Sequence, residues 1–203
     1  MNEKVQNTIR NLVLNGFEVR YFNKAEEAAE ALLKSIDKAE SVGFGGSMTV
    51  SDMGIYEKLK EQGNPVFWHW KCDAAERKAV LAEAAGARVF LTGSNAVTED
   101  GRLINIDGTG NRLSSLLFGH DRVYVLAGVN KLCKSLDEAL IRIKNVAAPQ
   151  NAVRLDLDTP CRHLGRCMNC SSKQRMCNAT LVLDKRPNSQ KVIIYLINED
   201  LGY

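Results

Sequence analysis

The chain has 203 residues, 45% hydrophobic and 25% charged, with a formal net charge of +3. That is room for one ordinary α/β domain over 1–203, with the composition of a globular protein rather than a disordered one. No apolar run approaches the ~18 residues of a membrane span. The opening residues MNEKVQNTIR carry no apolar signal core, and the charge is too mild and too evenly spread to argue for nucleic acid. A cytoplasmic, reducing location is therefore expected. There the six cysteines, four of them between 161 and 177, suggest metal more than disulfides.

The chain opens on a helix, with Val5, Ile9, Leu12 and Val13 on one face and Gly16 as its stop. FEVRYF (17–22) alternates like a strand. Asn23 is placed to cap a second helix, whose stripe is Ala28, Ala29, Leu32, Leu33 and Ile36. SVGF (41–44) is a short buried strand running into GGSMTVSD, and a third helix carries Ile55 and Leu59 inward to about Gln62. PVFW (65–68) is a strand, 74–85 an Ala-rich helix closed by Gly86, and RVFLTG (88–93) another strand. This alternation predicts a largely parallel sheet covered on both faces.

The rhythm breaks at 94–112, where AVT and RLINI flank Glu99, Asp100 and Gly101, a hairpin signal. A helix with Leu113, Leu116 and Leu117, a strand at 122–128 and a helix at 135–147 follow. After Pro149 the character shifts. Residues 158–178 read as a structured, cysteine-rich loop. ATLVLD (179–184) and KVIIYLI (191–197) read as two strands joined by a Pro-Asn turn.

Three polar Gly-rich loops share one design: GFGGSMT (43–49), TGSNA (92–96) and DGTGNR (107–112). Glycine lets backbone approach a ligand, and Ser, Thr and free N–H groups bind anions. In an open α/β sheet such loops gather at the carboxyl ends of the strands. None is a Walker A loop, and none completes G-x-G-x-x-G. Taken together they predict one pocket for an anionic small molecule. Lys131, in GVNKL, can reach a phosphate or carboxylate as a point charge. Glu99, Asp107 and Lys131 are the catalytic candidates, although Glu99 also reads as a hairpin-turn residue and Asp107 as a helix cap.

TPCRHLGRCMNCSSKQRMC places Cys161, Cys167, Cys170 and Cys177 in a C-x5-C-x2-C-x6-C spacing. Four thiolates so close in sequence can converge on one inorganic centre, a [4Fe–4S] cluster ahead of zinc. His163 is available as a substitute ligand, and Arg162, Arg166, Lys173 and Arg175 would offset thiolate charge. Cys133 reads as a small core residue, Cys72 as a candidate reactive thiol, and His69 and His120 as structural.

TGSNAVTEDGRL, DGTGNR, GVNK, AAPQNAVRL and the four-cysteine pattern, in that order, resemble the lactate-utilization (LUD) domain, in its small subgroup with a C-terminal cysteine motif. The resemblance runs from about Gly43 to the terminal NEDLGY. It implies the Rossmann-like three-layer α/β/α sandwich of the sugar-phosphate isomerase and CoA-transferase-like superfamily, with an inserted hairpin. It implies a ligand site at Gly45, Gly46, Ser47 and Thr49, at Thr92, Gly93, Ser94 and Asn95, and at Gly108, Thr109, Gly110 and Asn111, flanked by Lys131. It also implies lactate oxidation to pyruvate beside iron–sulfur partner proteins. A redox accessory protein is the first expectation, with a second copy of the chain as a candidate partner. An isomerase or transferase binding phosphate or CoA, with a structural metal, is the second.

Overall fold

The computed structural model describes all of Met1–Tyr203. Helix α1 (Glu3–Leu14) is capped by Asn2, whose side chain accepts from the Val5 amide at 3.0 Å. Val5 and Leu12 are buried from it, while Val13 faces solvent. Strand β1 (Glu18–Phe22) leads to α2 (Ala25–Ser35). Asn23 does not cap that helix with its side chain; its backbone amide donates to Glu27 Oε2 instead. After β2 (Val42–Phe44) the expected third helix is two, α3 (Met48–Asp52) and α4 (Ile55–Gln62), broken at left-handed Gly54. Strand β3 shrinks to Val66–Phe67, α5 spans Arg77–Gly86 and β4 spans Val89–Gly93.

The hairpin strands are β5 (Ala96–Thr98) and β6 (Leu103–Asp107), followed by α6 (Asn111–Leu117) and β7 (Arg122–Gly128). A 3-10 turn at Val129–Lys131 and the short β8 (Leu132–Cys133) come next. The helix expected to stop at 147 runs on. Its α7 (Leu136–Arg142) passes through a π-helical turn at Ile143–Ala147 into α8 (Ala148–Arg154). Pro149 sits in the first turn of α8, and the wider turn before it accommodates a residue that cannot donate. The cysteine segment holds one short helix, α9 (Pro160–Leu164), before β9 (Ala179–Leu183) and β10 (Lys191–Ile197).

Six strands make a wholly parallel sheet in the order β1-β10-β7-β4-β2-β3. The last strand is therefore inserted between the first and β7. Side chains alternate across it. Phe44, Leu91, Leu126 and Tyr195 pack under α2, α3 and α4. Phe90, Val125 and Ile194 pack on the other face with Val5, Leu12 and Leu116. The α/β class and the mostly parallel sheet match the expectation.

The hairpin is more than an insertion. A second sheet, β8-β5-β6-β9, lies against the first through Val97, Leu103, Leu132 and Leu183. The strands at 179–184 and 191–197 thus belong to different sheets and do not pair as a hairpin. No helix is long and apolar enough to cross a membrane.

Candidate functional site

Parallel strands deliver their following loops to one edge. The loops after β2, β3, β4 and β7, the β6–α6 turn, α8 and the chain terminus enclose a cavity of about 620 Å³. Gly46, Ser47 and Thr49 line it, as do Gly93, Ser94 and Asn95. Asp107, Gly108, Thr109, Asn111 and Lys131 complete the expected set at its wall. The three Gly-rich loops therefore meet at one place.

Gly45, Thr92, Gly110 and Glu99 lie outside it. Glu99 stays in the hairpin, where its Oε1 accepts from Asn7 Nδ2 at 2.9 Å and its carbonyl from Asn11 at 2.7 Å. Thr92 is fully buried and donates to the neighbouring Gly93 carbonyl at 3.2 Å. Gly45 serves packing, because a Cβ there would stand 2.8 Å from Arg112 Cγ.

Several expected ligand groups hold the protein instead. Ser47 Oγ caps α3 at the Val50 amide. Ser94 donates to the Ala96 carbonyl at 2.8 Å, and Asn95 Oδ1 accepts from the Ile106 amide at 3.0 Å. Asp107 Oδ2 takes the Arg112 amide at 3.1 Å and lies 3.5 Å from Arg112 Nε. Arg112 Nη2 donates to the Ile106 carbonyl at 2.8 Å, which leaves Nη1 without a protein partner.

The cavity is cationic. Lys71, Arg77, Arg112, Lys131 and Arg154 line it, against one acidic side chain, Asp107. Arg154 is held by two bonds to Asn151 Oδ1, at 3.1 and 2.8 Å, and lies over the Trp70 ring at 4.4 Å. Trp70 in turn stacks on Trp68 at 5.2 Å.

Lys131 is 4% exposed and donates to Thr49 Oγ1 at 2.7 Å. Burial, with Arg142 and Arg112 nearby, lowers its ammonium pKa to about 7. Burial and the Arg77 charge likewise lower His69 to about 4, so its imidazole is neutral at physiological pH. Neither His69 ring nitrogen has a hydrogen-bond partner in the protein, and Nδ1 is fully enclosed.

Sequence reasoning missed His69, Arg112, Arg154 and Tyr203. WHWK follows β3 as the other site loops follow their strands, and Arg112 ends the DGTGNR motif; those two were readable by position. Arg154 and Tyr203 gave no such signal. His120 is a core residue, its Nδ1 2.6 Å from the Ala87 carbonyl and its ring stacked on Phe90. Cys133 is buried, and Cys72 is half-buried and outside the cavity.

The four cysteines of the C-terminal loop are free thiols. Cys161, Cys167, Cys170 and Cys177 line one small cavity of about 20 Å³ with Met168, Met176 and Ala148. As the side chains stand, no trio of His, Cys, Asp or Glu is arranged to hold a metal ion. The donor set is nonetheless soft and uniform, which suits zinc or an iron–sulfur centre. Polar groups already attend it. The Asn169 amide donates to Cys167 Sγ at 3.3 Å, and Arg175 donates to the Cys170 carbonyl at 2.7 Å and the Cys177 carbonyl at 3.1 Å. Met176, Cys177 and Ala148 line both this cavity and the large one. The Asn178 amide donates to the Asp107 carbonyl at 3.1 Å, which ties the loop to the pocket wall.

Residues 5–197 match the family model of the LUD domain. A DUF162 family protein from Deinococcus radiodurans, solved at 1.70 Å, is similar in fold, with a TM-score of 0.53, 13% identity and 96% of each chain covered. Ribose 5 phosphate isomerase A from Neisseria gonorrhoeae aligns over 55% of this chain and 54% of its own, at 19% identity and a TM-score of 0.37. No curated protein matches.

Proposed function

We propose that this chain, which belongs to the LUD domain family, is a cytoplasmic redox accessory protein of the lactate-utilization kind. It binds a small anionic metabolite at the carboxyl edge of its parallel sheet and carries a sulfur-ligated centre in the adjoining wall. The observation that carries this reading is the shared wall: Cys177 lines both the cationic cavity and the four-cysteine cavity. Cys161, Cys167, Cys170 and Cys177 would hold the centre, a [4Fe–4S] cluster first and zinc as the alternative. An iron–sulfur centre supplies one-electron redox chemistry when bound.

The chain's own residues do the rest. Arg112 and Arg154 present fixed guanidinium groups to a carboxylate or phosphate. Lys131 adds an amine able to gain or release a proton near neutrality. An iron–sulfur protein is the expected electron partner, and a second copy of this chain a further one. The thiol cavity, about 20 Å³, has room for little more than a water-sized group. Seating a cluster therefore requires the loop to open. Only Thr159 is buried among residues 158–178, so little packing opposes that movement.

The second reading is an isomerase or transferase acting on a phosphate or CoA ligand, with a structural metal. The near-neutral Lys131 favours it, because such an amine is a usable base. Purification without oxygen, with elemental analysis and an optical spectrum, separates the two. Iron and sulfide in proportion to chain and a brown colour support the redox reading. Colourless, zinc-bearing protein supports the second. Protein with neither metal overturns the centre in both.

A further inference from the structure

Resting on the anion-pocket half of that reading, we propose that Lys131 forms an imine with the carbonyl group of a 2-oxo acid held in this cavity. The geometry carries the assignment. Lys131 ends the tight turn after β7, where the strand delivers it to the 620 Å³ cavity, and Nζ meets one protein partner, Thr49 Oγ1 at 2.7 Å. Thr49 is itself fixed, donating to the Leu201 carbonyl at 3.2 Å, so the amine is aimed rather than free to swing.

No carboxylate forms a salt bridge with Lys131. The charged groups facing it are Asp52 from α3, Arg112 from α6 and Arg142 from α7. A buried ammonium among cations is costly. A buried lysine so placed gives up its proton more readily than an exposed one, and the free amine is the form that attacks carbonyl carbon. A solvated point-charge lysine, the simpler role for a residue that only binds anions, needs none of this burial.

The same cavity supplies the remaining parts. Arg112 Nη1 and Arg154 are available to a carboxylate adjacent to the reacting carbonyl. His69, neutral and without a protein partner, can carry a proton. In the step itself, Lys131 Nζ bonds to the carbonyl carbon. The nitrogen gives up its two protons, the carbonyl oxygen takes up two and leaves as water, and a C=N bond remains. No electron leaves the pair of reactants. The cavity is several times larger than a three-carbon acid requires, so longer 2-oxo acids fit the same chemistry.

The test is reductive trapping. Pyruvate and 2-oxoglutarate are each incubated with the full chain, cyanoborohydride is added, and the adduct is located by peptide mapping. The expected result is one reduced adduct per chain at Lys131, absent from Lys131→Arg and suppressed by oxalate, an anion with no ketone to trap. The labelling rate is expected to level off above about pH 7, rather than climb toward the ordinary lysine range near about 10.4. Mapping on the wild-type chain decides the question even if Lys131→Arg fails to fold.

Absence of an adduct, or adducts scattered over exposed lysines, overturns the proposal. Calorimetry with oxalate separates the two levels. Oxalate binding without an adduct removes the imine and leaves the anion pocket standing. No oxalate binding removes both.

Discussion

The cationic pocket and the cysteine loop share a wall but are built in opposite ways. The pocket is assembled from loops distant in sequence, each anchored by a buried strand, and its polar groups are mostly committed: Ser94, Asn95, Asp107 and Arg112 bond to one another or to backbone. The loop is a single segment with Thr159 as its one buried residue, held by bonds such as those from Arg175 to the Cys170 and Cys177 carbonyls. Folding alone preorganises the first. The second gathers four thiols around one small cavity without arranging any three of them to hold an ion.

The largest expected effect lies under the pocket. Ile194 is fully buried at the centre of β10, between β1 and β7. Ile194→Ala should cost about 2–5 kcal/mol in urea unfolding. Cys167→Ala in metal-free protein should cost no more than about 0.5 kcal/mol, as for a side chain off the core. Equal losses at the two sites would break the contrast.

Next comes the ion pair beneath the same sheet. Arg122 Nη1 donates to Glu40 Oε1 at 2.9 Å, with 21% and 9% of the two side chains exposed. The Arg122 hydrogen bonds hold the Glu40 carboxyl below its ordinary range, against the opposing effect of burial. A carboxylate lowered in the folded state stabilises fully above its unfolded pKa, and that stability drains away as pH falls through the lowered value. Glu40→Gln should cost about 1–3 kcal/mol at neutral pH. The variant's deficit should narrow between about pH 5 and about pH 3. Unfolding curves across that range check it, and a pH-independent deficit would count against the pairing.

In the pocket, Lys131 should make anion binding pH-dependent. Its ammonium form predominates below about 7 and its amine above. Oxalate affinity should therefore fall by about tenfold from about pH 6 to about pH 8. Lys131→Met should flatten that dependence. Titration calorimetry at the two pH values reads it.

A smaller loss of stability than at Ile194 or Glu40, but the sharpest effect on the contrast, is expected at Gly108. A Cβ there would stand 2.9 Å from the Met176 carbonyl oxygen and 3.1 Å from its Cα. Gly108→Ala should loosen residues 158–178 from the pocket at a cost of about 1 kcal/mol. Amide exchange should quicken in that segment while β4, β7 and β10 stay protected.

What the sequence disclosed follows the same division. The parallel sheet was legible because its strands are short apolar or alternating runs bounded by glycine or polar turns, and the loops could be placed by the rule that they follow strands. The second sheet was not, because β8 has only Leu132 and Cys133, too few to show a period. The destination of β10 was hidden as well. Nothing local marks a strand that leaves its neighbour β9 to enter another sheet between β1 and β7. Lys131 was readable as a cation after a strand, but its burial under Thr49 and Leu201 depends on contacts 82 residues away and on the chain terminus. His69 looked structural because it is a single histidine with no evident ligand partner in the sequence, and its place in the cavity wall comes from loops elsewhere. The four thiols were visible by spacing, and the wall they share with the pocket only in three dimensions.

The most direct measurement is an optical titration. The chain is purified without oxygen, its metal content is fixed by elemental analysis, and the spectrum of the centre is followed as oxalate is added. The account predicts a saturable spectral change with the same midpoint as the calorimetric binding of oxalate, lost in Lys131→Met. A metal-free chain, or a centre whose spectrum ignores bound oxalate, would contradict it.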